Sequence, residues 1–264
     1  MKFLSYFHDP DDLFLDLLEQ TSFPKELKGS IVAVSPQTTI KAYNLVKELG
    51  FKIVEGGPYG YARIASLKEG LKENDNSYFF VCDFDKMLHW IIEDKQEFLK
   101  VLNSIPKAAY TVVARSEKAL DSYPSSWIET EQIVTRIIGK ILGGRFDIMN
   151  GPIILNRKAS EVVVENAVET GVGSCAEWAL LAKLAKLKID EIKVNGLTWE
   201  DPDRYKLLIE KSDSYETWKE EAFNSLYEWR KRVEFLHQQV NTMIRLTSEP
   251  INPKYPAVKN KIFL

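Results

Sequence analysis

Asp83 and Asp85 stand one residue apart directly after Tyr78-Phe-Phe-Val-Cys82, an apolar run of aromatic and β-branched residues with the composition of a strand. Ligands of open α/β sheets bind in the crevice beyond the carboxyl ends of the strands. Two carboxylates placed there offer the hard oxygen donors that hold a divalent cation and, through it, a phosphate-bearing substrate. The triplet alone is weak evidence, because Asp-x-Asp occurs three times: Asp9-Pro-Asp11, Asp83-Phe-Asp85 and Asp201-Pro-Asp203. Context separates them. Only the central one follows a buried-type strand; the first sits at a helix start, where Asp is a favoured cap, and the third lies in a proline turn. The plain alternative for the central pair is a strand-end turn with solvated acids.

The elements that must position these acids alternate regularly. Ile31 to Ser35 reads as a buried strand, Thr38 to Leu49 as a helix closed by Gly50, Phe51 to Val54 as a second strand, Ala62 to Leu71 as a helix, and Tyr78 to Cys82 as the third strand. Such alternation implies right-handed βαβ crossovers and a mostly parallel sheet. A short helix over 11–20 precedes this series. Helices over 95–102, 127–142, 159–168 and 176–187 and strands near 109–114, 146–155 and 191–194 follow it. From Tyr215 to Leu246 there is no Gly or Pro, and Leu226, Trp229, Val233, Leu236, Val240 and Met243 form one apolar seam along a long helix. That seam either packs on the parent domain or pairs two copies as a homodimer. Residues 1–212 are read as the main α/β domain and 213–264 as a C-terminal helix with an extended tail after Pro250.

Gly60-Tyr-Ala-Arg63, with Gly70 closing that helix and the strand delivering Asp83-Phe-Asp85, resembles the signature of nucleotide-sugar-dependent glycosyltransferases of the GT-A fold, family 2-like. The likeness implies a Rossmann-like, mostly parallel sheet and transfer of a sugar from a nucleoside diphosphate sugar to an acceptor hydroxyl. It implies Mg²⁺ or Mn²⁺ on Asp85, with Asp83 contacting the metal or the ribose and Arg63 lying beside the nucleotide. Gly57 and Gly60 fall on the donor side. Pro36 does too, in Ser35-Pro36-Gln37-Thr38, where the family often has Pro-x-Tyr-Asn/Glu; Ile64 replaces the family's usual Asn. Gly171-Val-Gly-Ser174-Cys-Ala-Glu177 resembles the acceptor region, which implies Glu177 as the catalytic base of an inverting enzyme. Its Ser-x-x-Glu spacing equally fits a helix capping box. Trp199-Glu-Asp201-Pro-Asp203 falls where such enzymes carry a closing segment, so Asp201 would complete the metal shell and Trp199 would face a sugar ring. A plain proline turn is the alternative. His89 is read as a structural hydrogen-bonder.

The same acids suit another chemistry. A strand followed by Asp-x-Asp also opens phosphatases of the haloacid dehalogenase type, with Asp83 as a catalytic nucleophile. Met87 stands where that family has Thr or Val, however, and no later Gly-Asp-x-x-x-Asp pair occurs. A third reading is a non-catalytic GT-A-like binding module.

Composition narrows the field. The 264 residues, 45% hydrophobic and 28% charged, have a globular balance, and the net charge of −3 gives no electrostatic case for nucleic acid. Gly56-Gly57-Pro58-Tyr59-Gly60 lacks the spacing of a dinucleotide loop. His8, Asp9 and Pro10 interrupt the N-terminus before a leader develops, and no apolar run reaches bilayer length, so a cytoplasmic protein is expected. Cys82 and Cys175 read as buried thiols.

Overall fold

The computed structural model describes residues 1–73 and 77–248; the tail after Pro250 lies outside the described residues. Seven strands, β1 (Lys2–Phe7), β2 (Ile31–Val34), β3 (Lys52–Glu55), β4 (Tyr78–Val81), β5 (Tyr110–Arg115), β6 (Ile153–Asn156) and β7 (Ile189–Val194), form one sheet in the order β3-β2-β1-β4-β6-β5-β7. Only β6 runs against its neighbours, pairing antiparallel with both β4 and β5. The fold is therefore the α/β, mostly parallel sheet that the strand–helix alternation predicts.

The acidic strand is the fourth in the chain, not the third. Lys2–Phe7, read above only for the absence of a leader, is the strand at the sheet's centre, in register with β2 on one side and β4 on the other. Its side chains point alternately to two covered faces, with Phe3, Leu4 and Phe7 all at 1% exposure or less. A strand buried on both faces has no polar alternation to mark it.

Twelve helices of the described residues surround the sheet. They are α1 (Leu15–Gln20), α2 (Ile40–Glu48), α3 (Tyr59–Leu71), α4 (Phe84–Leu102), α5 (Glu117–Leu120), α6 (Ser125–Leu142), α7 (Arg157–Asn166), α8 (Ser174–Leu184), α9 (Asp201–Arg204), α10 (Lys206–Ile209), α11 (Tyr215–Phe223) and α12 (Leu226–Ser248). Leu17, Val46, Trp90 and Phe98 bring α1, α2 and α4 onto the sheet face that carries Phe3 and Phe80. Leu67, Ile138, Val163, Ala179 and Leu246 bring α3, α6, α7, α8 and α12 onto the face of Leu4 and Phe79.

Two helix readings change. The helix expected over 95–102 begins eleven residues earlier, at Phe84, and absorbs a break at Asp94 (φ −151°, ψ 80°). The single long C-terminal helix is two, α11 and α12, parted at Asn224-Ser225. The face of α12 turned to the domain coincides with the apolar seam only in part, at Met243 and the half-buried Leu236. Leu226 and Val233 are exposed, while Glu228, Arg232, Gln239, Thr242, Met243 and Leu246 are buried against α6 and α8. Gln239 receives the Ala176 N–H at 2.9 Å and donates to the Val172 carbonyl, so polar pairing replaces part of the apolar contact.

Gly60 shows what the glycines before the acids do. Its N–H donates to the Thr170 carbonyl at 2.7 Å, and a Cβ there would sit 2.4 Å from the Glu169 carbonyl oxygen. Backbone meets backbone at this point, so relief requires moving the chain. Gly60→Ala is expected to lower unfolding free energy by about 2 kcal/mol, read by urea denaturation; an unchanged midpoint would mean that the 169–171 loop yields freely.

Candidate functional site

The order β3-β2-β1-β4 fixes where a crevice must open. From β1 the chain moves to β2 and β3 on one side, then returns to place β4 on the other side of β1. The carboxyl ends of β1 and β4 are thus a topological switch point, where the flanking connections diverge and leave room for a ligand. A cavity of about 170 Å³ lies there, lined by Tyr6, Phe7 and His8 from the end of β1, Asp83 and Asp85 after β4, and Arg204 of α9. A second cavity, of about 190 Å³, lies deeper and shares Tyr59, Asp83, Asp85 and Arg204 with the first. Its other walls include Lys86, Arg115, Tyr123, Trp127, Asn150 and Arg232. The two acids stand on the partition between the cavities.

Asp83 is the residue before α4, and Asp85 lies in that helix's first turn, where the exposed N–H groups and the helix dipole favour negative charge. Asp85 Oδ1 accepts the Lys86 N–H at 2.8 Å, and Oδ2 accepts Arg204 Nη2 at 3.1 Å. Asp83 Oδ2 accepts the Tyr59 hydroxyl at 3.1 Å, while its Oδ1 is buried without a partner. Burial is the main reason the Asp83 carboxyl is pushed up to about 6; Arg63 opposes the shift and Asp85 reinforces it. Gly151, at φ 97°, closes the floor: a Cβ there would lie 3.2 Å from both Asp83 Oδ2 and the Tyr59 hydroxyl.

Arg204 ties the partition to the segment after β7. Its Nη2 meets the carboxylates of both Asp85 and Asp201, and its guanidinium lies over the Phe14 ring, 5.1 Å from the centroid. Beside it, Lys86 is buried against Glu200 at 2.8 Å and Tyr123 at 3.2 Å. Burial alone would raise Glu200, but the Lys86 ammonium more than offsets it and brings the carboxyl down to about 2. Asp201 is pushed the other way, up to about 6, because burial outweighs the help of Arg204.

The residues expected from sequence part into two groups. Asp83 and Asp85 are brought together at the crevice. Asp201 is near but is held by Arg204, and among the described residues no three His, Cys, Asp or Glu side chains are gathered to hold a metal ion. Pro36 borders a separate groove of about 480 Å³ along the ends of β2 and β3, with Ser35, Tyr43 and Glu55. Gly57 and Gly60 border neither cavity, and Gly60 packs on the 169–171 loop.

Arg63 is buried behind the site, donating to the Gly151 carbonyl at 2.7 Å and lying 4.6 Å from the Trp178 ring centroid, so it acts on Asp83 through its charge. Glu177 is fully buried away from both cavities, accepting the Val168 and Glu169 N–H groups at 2.9 and 3.0 Å and Arg245 at 2.7 Å. It forms no capping box, since the residue preceding α8 is Gly173 and Ser174 Oγ has no partner. Trp199 is buried in a cluster with Trp218 and Phe223, with no face left for a sugar. His89 bridges Asp203 and Thr198, each at 2.7 Å, in the structural role expected. Sequence reasoning passed over Tyr59 and Arg204, although both stand inside stretches that drew attention.

A divalent cation, implied by the resemblance, can be tested against these donors. Asp83 offers an oxygen with no partner and Asp85 a carboxylate 26% exposed, both hard donors. Cations of the Mg²⁺ type are commonly held by one or two carboxylates, with substrate phosphates and water completing the shell. Two acids of this kind fit that demand.

No family model matches the chain, and no curated protein matches it. Among solved structures, glucosyl-3-phosphoglycerate synthase from Mycobacterium tuberculosis in complex with UDP is similar at 12% identity over 91% of this chain and 79% of that one, with a TM-score of 0.48. A cytidylyltransferase from Leptospira borgpetersenii serovar Hardjo-bovis is similar at 12% identity over 91% and 95% of the two chains, with a TM-score of 0.44. S. aureus TarS matches at 12% identity over 92% and 72%, with a TM-score of 0.37.

The raised Asp83 carboxyl has a thermodynamic sign. The folded protein binds that proton more tightly than the unfolded chain, so the contribution of Asp83 to stability falls as pH rises from about 4 to about 6. In the presence of EDTA, Asp83→Asn should therefore become more stabilising relative to wild type from pH 4 to pH 8. The gain is on the order of 2 kcal/mol after discounting for partial exposure. Urea denaturation at the two pH values measures it; a mutant-to-wild-type difference that ignores pH would refute the assignment.

Proposed function

We propose that the chain is a nucleotide-sugar-dependent glycosyltransferase of the hexosyltransferase type, with the donor's diphosphate at Asp83 and Asp85. The observation that carries this reading is a pair of adjacent acids at the switch point of a mostly parallel sheet, one with a buried, unpartnered oxygen, on the partition between two cavities. A crevice of this form suits a substrate in two parts that must meet at one wall.

The groove beside Pro36 and Glu55 would receive the nucleoside, and Tyr6, which bonds Ser35, connects that groove to the outer cavity. Tyr59 fixes the rotamer of Asp83 by its hydrogen bond, and Gly151 permits the close approach that this bond needs. The deeper cavity, walled by Tyr123, Trp127, Asn150 and Arg232, would take the acceptor. Asp83 and Asp85 would hold a divalent cation, which when bound supplies positive charge to the departing diphosphate. The resemblance gives Glu177 the acceptor-base role, but its carboxylate is committed to two backbone amides and Arg245, so no base is assigned to it here.

Among the described residues no helix is long and apolar enough to cross a membrane.

Thermal shifts with ADP, CDP, GDP and UDP, each with and without Mn²⁺, test the reading, because a ligand that binds only the folded form raises the melting temperature. At least one nucleotide at about 100 times its Kd should stabilise the protein by about 2.7 kcal/mol in the presence of Mn²⁺. Asp83→Asn together with Asp85→Asn should abolish the shift. A full shift in the double variant would dismiss these acids as the diphosphate site.

A further inference from the structure

Both oxygens of the Asp85 carboxylate already accept a hydrogen bond. Its Oδ1 is taken by the N–H of Lys86 in its own helix at 2.8 Å, and its Oδ2 by Arg204 Nη2 at 3.1 Å. The same Nη2 also meets Asp201, so one nitrogen of the guanidinium stands between two carboxylates as a cation would. Asp83, one residue back, keeps an unpartnered Oδ1. The side chains of Arg204 and Asp85 are 20% and 26% exposed, and both line both cavities. The pair can therefore be reached by a solute from either side.

We propose that Arg204 is the resident counterion of this site, and that a divalent cation binds Asp85 only by displacing the guanidinium from Oδ2. On one oxygen the two would stand as like charges a few ångströms apart, so each occupant disfavours the other. A dication attracts a carboxylate more strongly than a guanidinium does, but it must also repay the loss of the Arg204 contact, so the affinity of the free protein for the metal is held down. Displacement leaves a guanidinium, still anchored to Asp201 and with a buried Nε that has no partner among the described residues, beside the place where a cation has just bound. An anion with several oxygens then finds two positive groups together. On the donor reading above, that anion is the diphosphate of a nucleotide sugar.

The competition itself does not depend on the donor reading, and the first experiment uses the metal alone. Mn²⁺ is titrated into nucleotide-free, EDTA-stripped and desalted full-length protein, and bound metal is read by electron paramagnetic resonance. Arg204→Gln, which keeps hydrogen-bonding capacity but removes the charge, should bind Mn²⁺ about tenfold more tightly than wild type. Arg204→Lys keeps the charge, and with it the fold, but loses the planar fork; it should fall between the two. Asp85→Asn should erase the difference between wild type and Arg204→Gln. Affinity in a folded Arg204 variant that equals or falls below wild type overturns the proposal, as does failure of every variant to bind Mn²⁺. Loss of nucleotide binding with this Mn²⁺ pattern intact would overturn the donor reading and leave the competition standing.

Discussion

Burying carboxylates at the end of a strand is tolerable only if positive charge is buried with them, and this requirement shapes one side of the molecule. An unpaired ionised group in a low-dielectric interior costs several kcal/mol, so it acquires a partner or gives up its charge. Here both solutions occur side by side. Glu200 keeps its charge because Lys86 is against it, while Asp83, with Arg63 acting only at a distance, moves toward neutrality. Arg204 serves two acids at once and leaves one of them, Asp201, also shifted upward. Burial is the main cause of both upward shifts. A structural salt-bridge network would be expected to close its account, whereas this one leaves an acceptor oxygen open at a cavity wall.

The positioning of that network explains why α4 starts where it does. Phe84 follows Asp83 directly, so the first turn of the helix gives the Lys86 N–H to Asp85, and the Lys86 side chain falls on the face turned to Glu200. The sequence between Cys82 and Lys86 therefore ends a strand, opens a helix and sets a charge pair within five residues. The expectation of a helix only from residue 95 fails because Met87, Leu88, Trp90 and Ile91 are buried together with the hydrogen-bonded His89, so this stretch has no exposed face. A segment covered all round shows no helical stripe to read.

Legibility elsewhere followed the same rule. The β2, α2, β3, α3, β4 series could be read because short apolar runs alternate with capped helices, and the pair at residues 83 and 85 could be located because it interrupts such a run. Strand β1 could not, since Lys2–Phe7 is hidden on both faces and shows no polar alternation. The α12 face was misjudged for the opposite reason: its buried side is built from Glu228, Arg232, Gln239 and Thr242, which an apolar pattern cannot reveal. The role of Glu177 was invisible in the same way, because its partners, the 168–169 backbone and Arg245, are distant in sequence or carry no side-chain signal.

These polar contacts bear on how the crevice keeps its shape. The segment leaving β7 is pinned at Trp199 by stacking on Trp218 and edge contact with Phe223, and one residue later at Glu200 by Lys86. Arg232 of α12 lies over Trp127, 3.2 Å from the ring centroid, and so fixes the far wall of the deeper cavity to the same cluster. Three residues of α9 then separate Glu200 from Arg204. With the start of the segment held by aromatic packing and a buried ion pair, a change of partner at Asp85 need not move the backbone of the wall. It can be confined to the Arg204 side chain, whose guanidinium lies over the Phe14 ring at the end of a long, rotatable stem. The rigid cluster thus allows the cationic group to exchange partners while the acids and the cavities they divide stay in place.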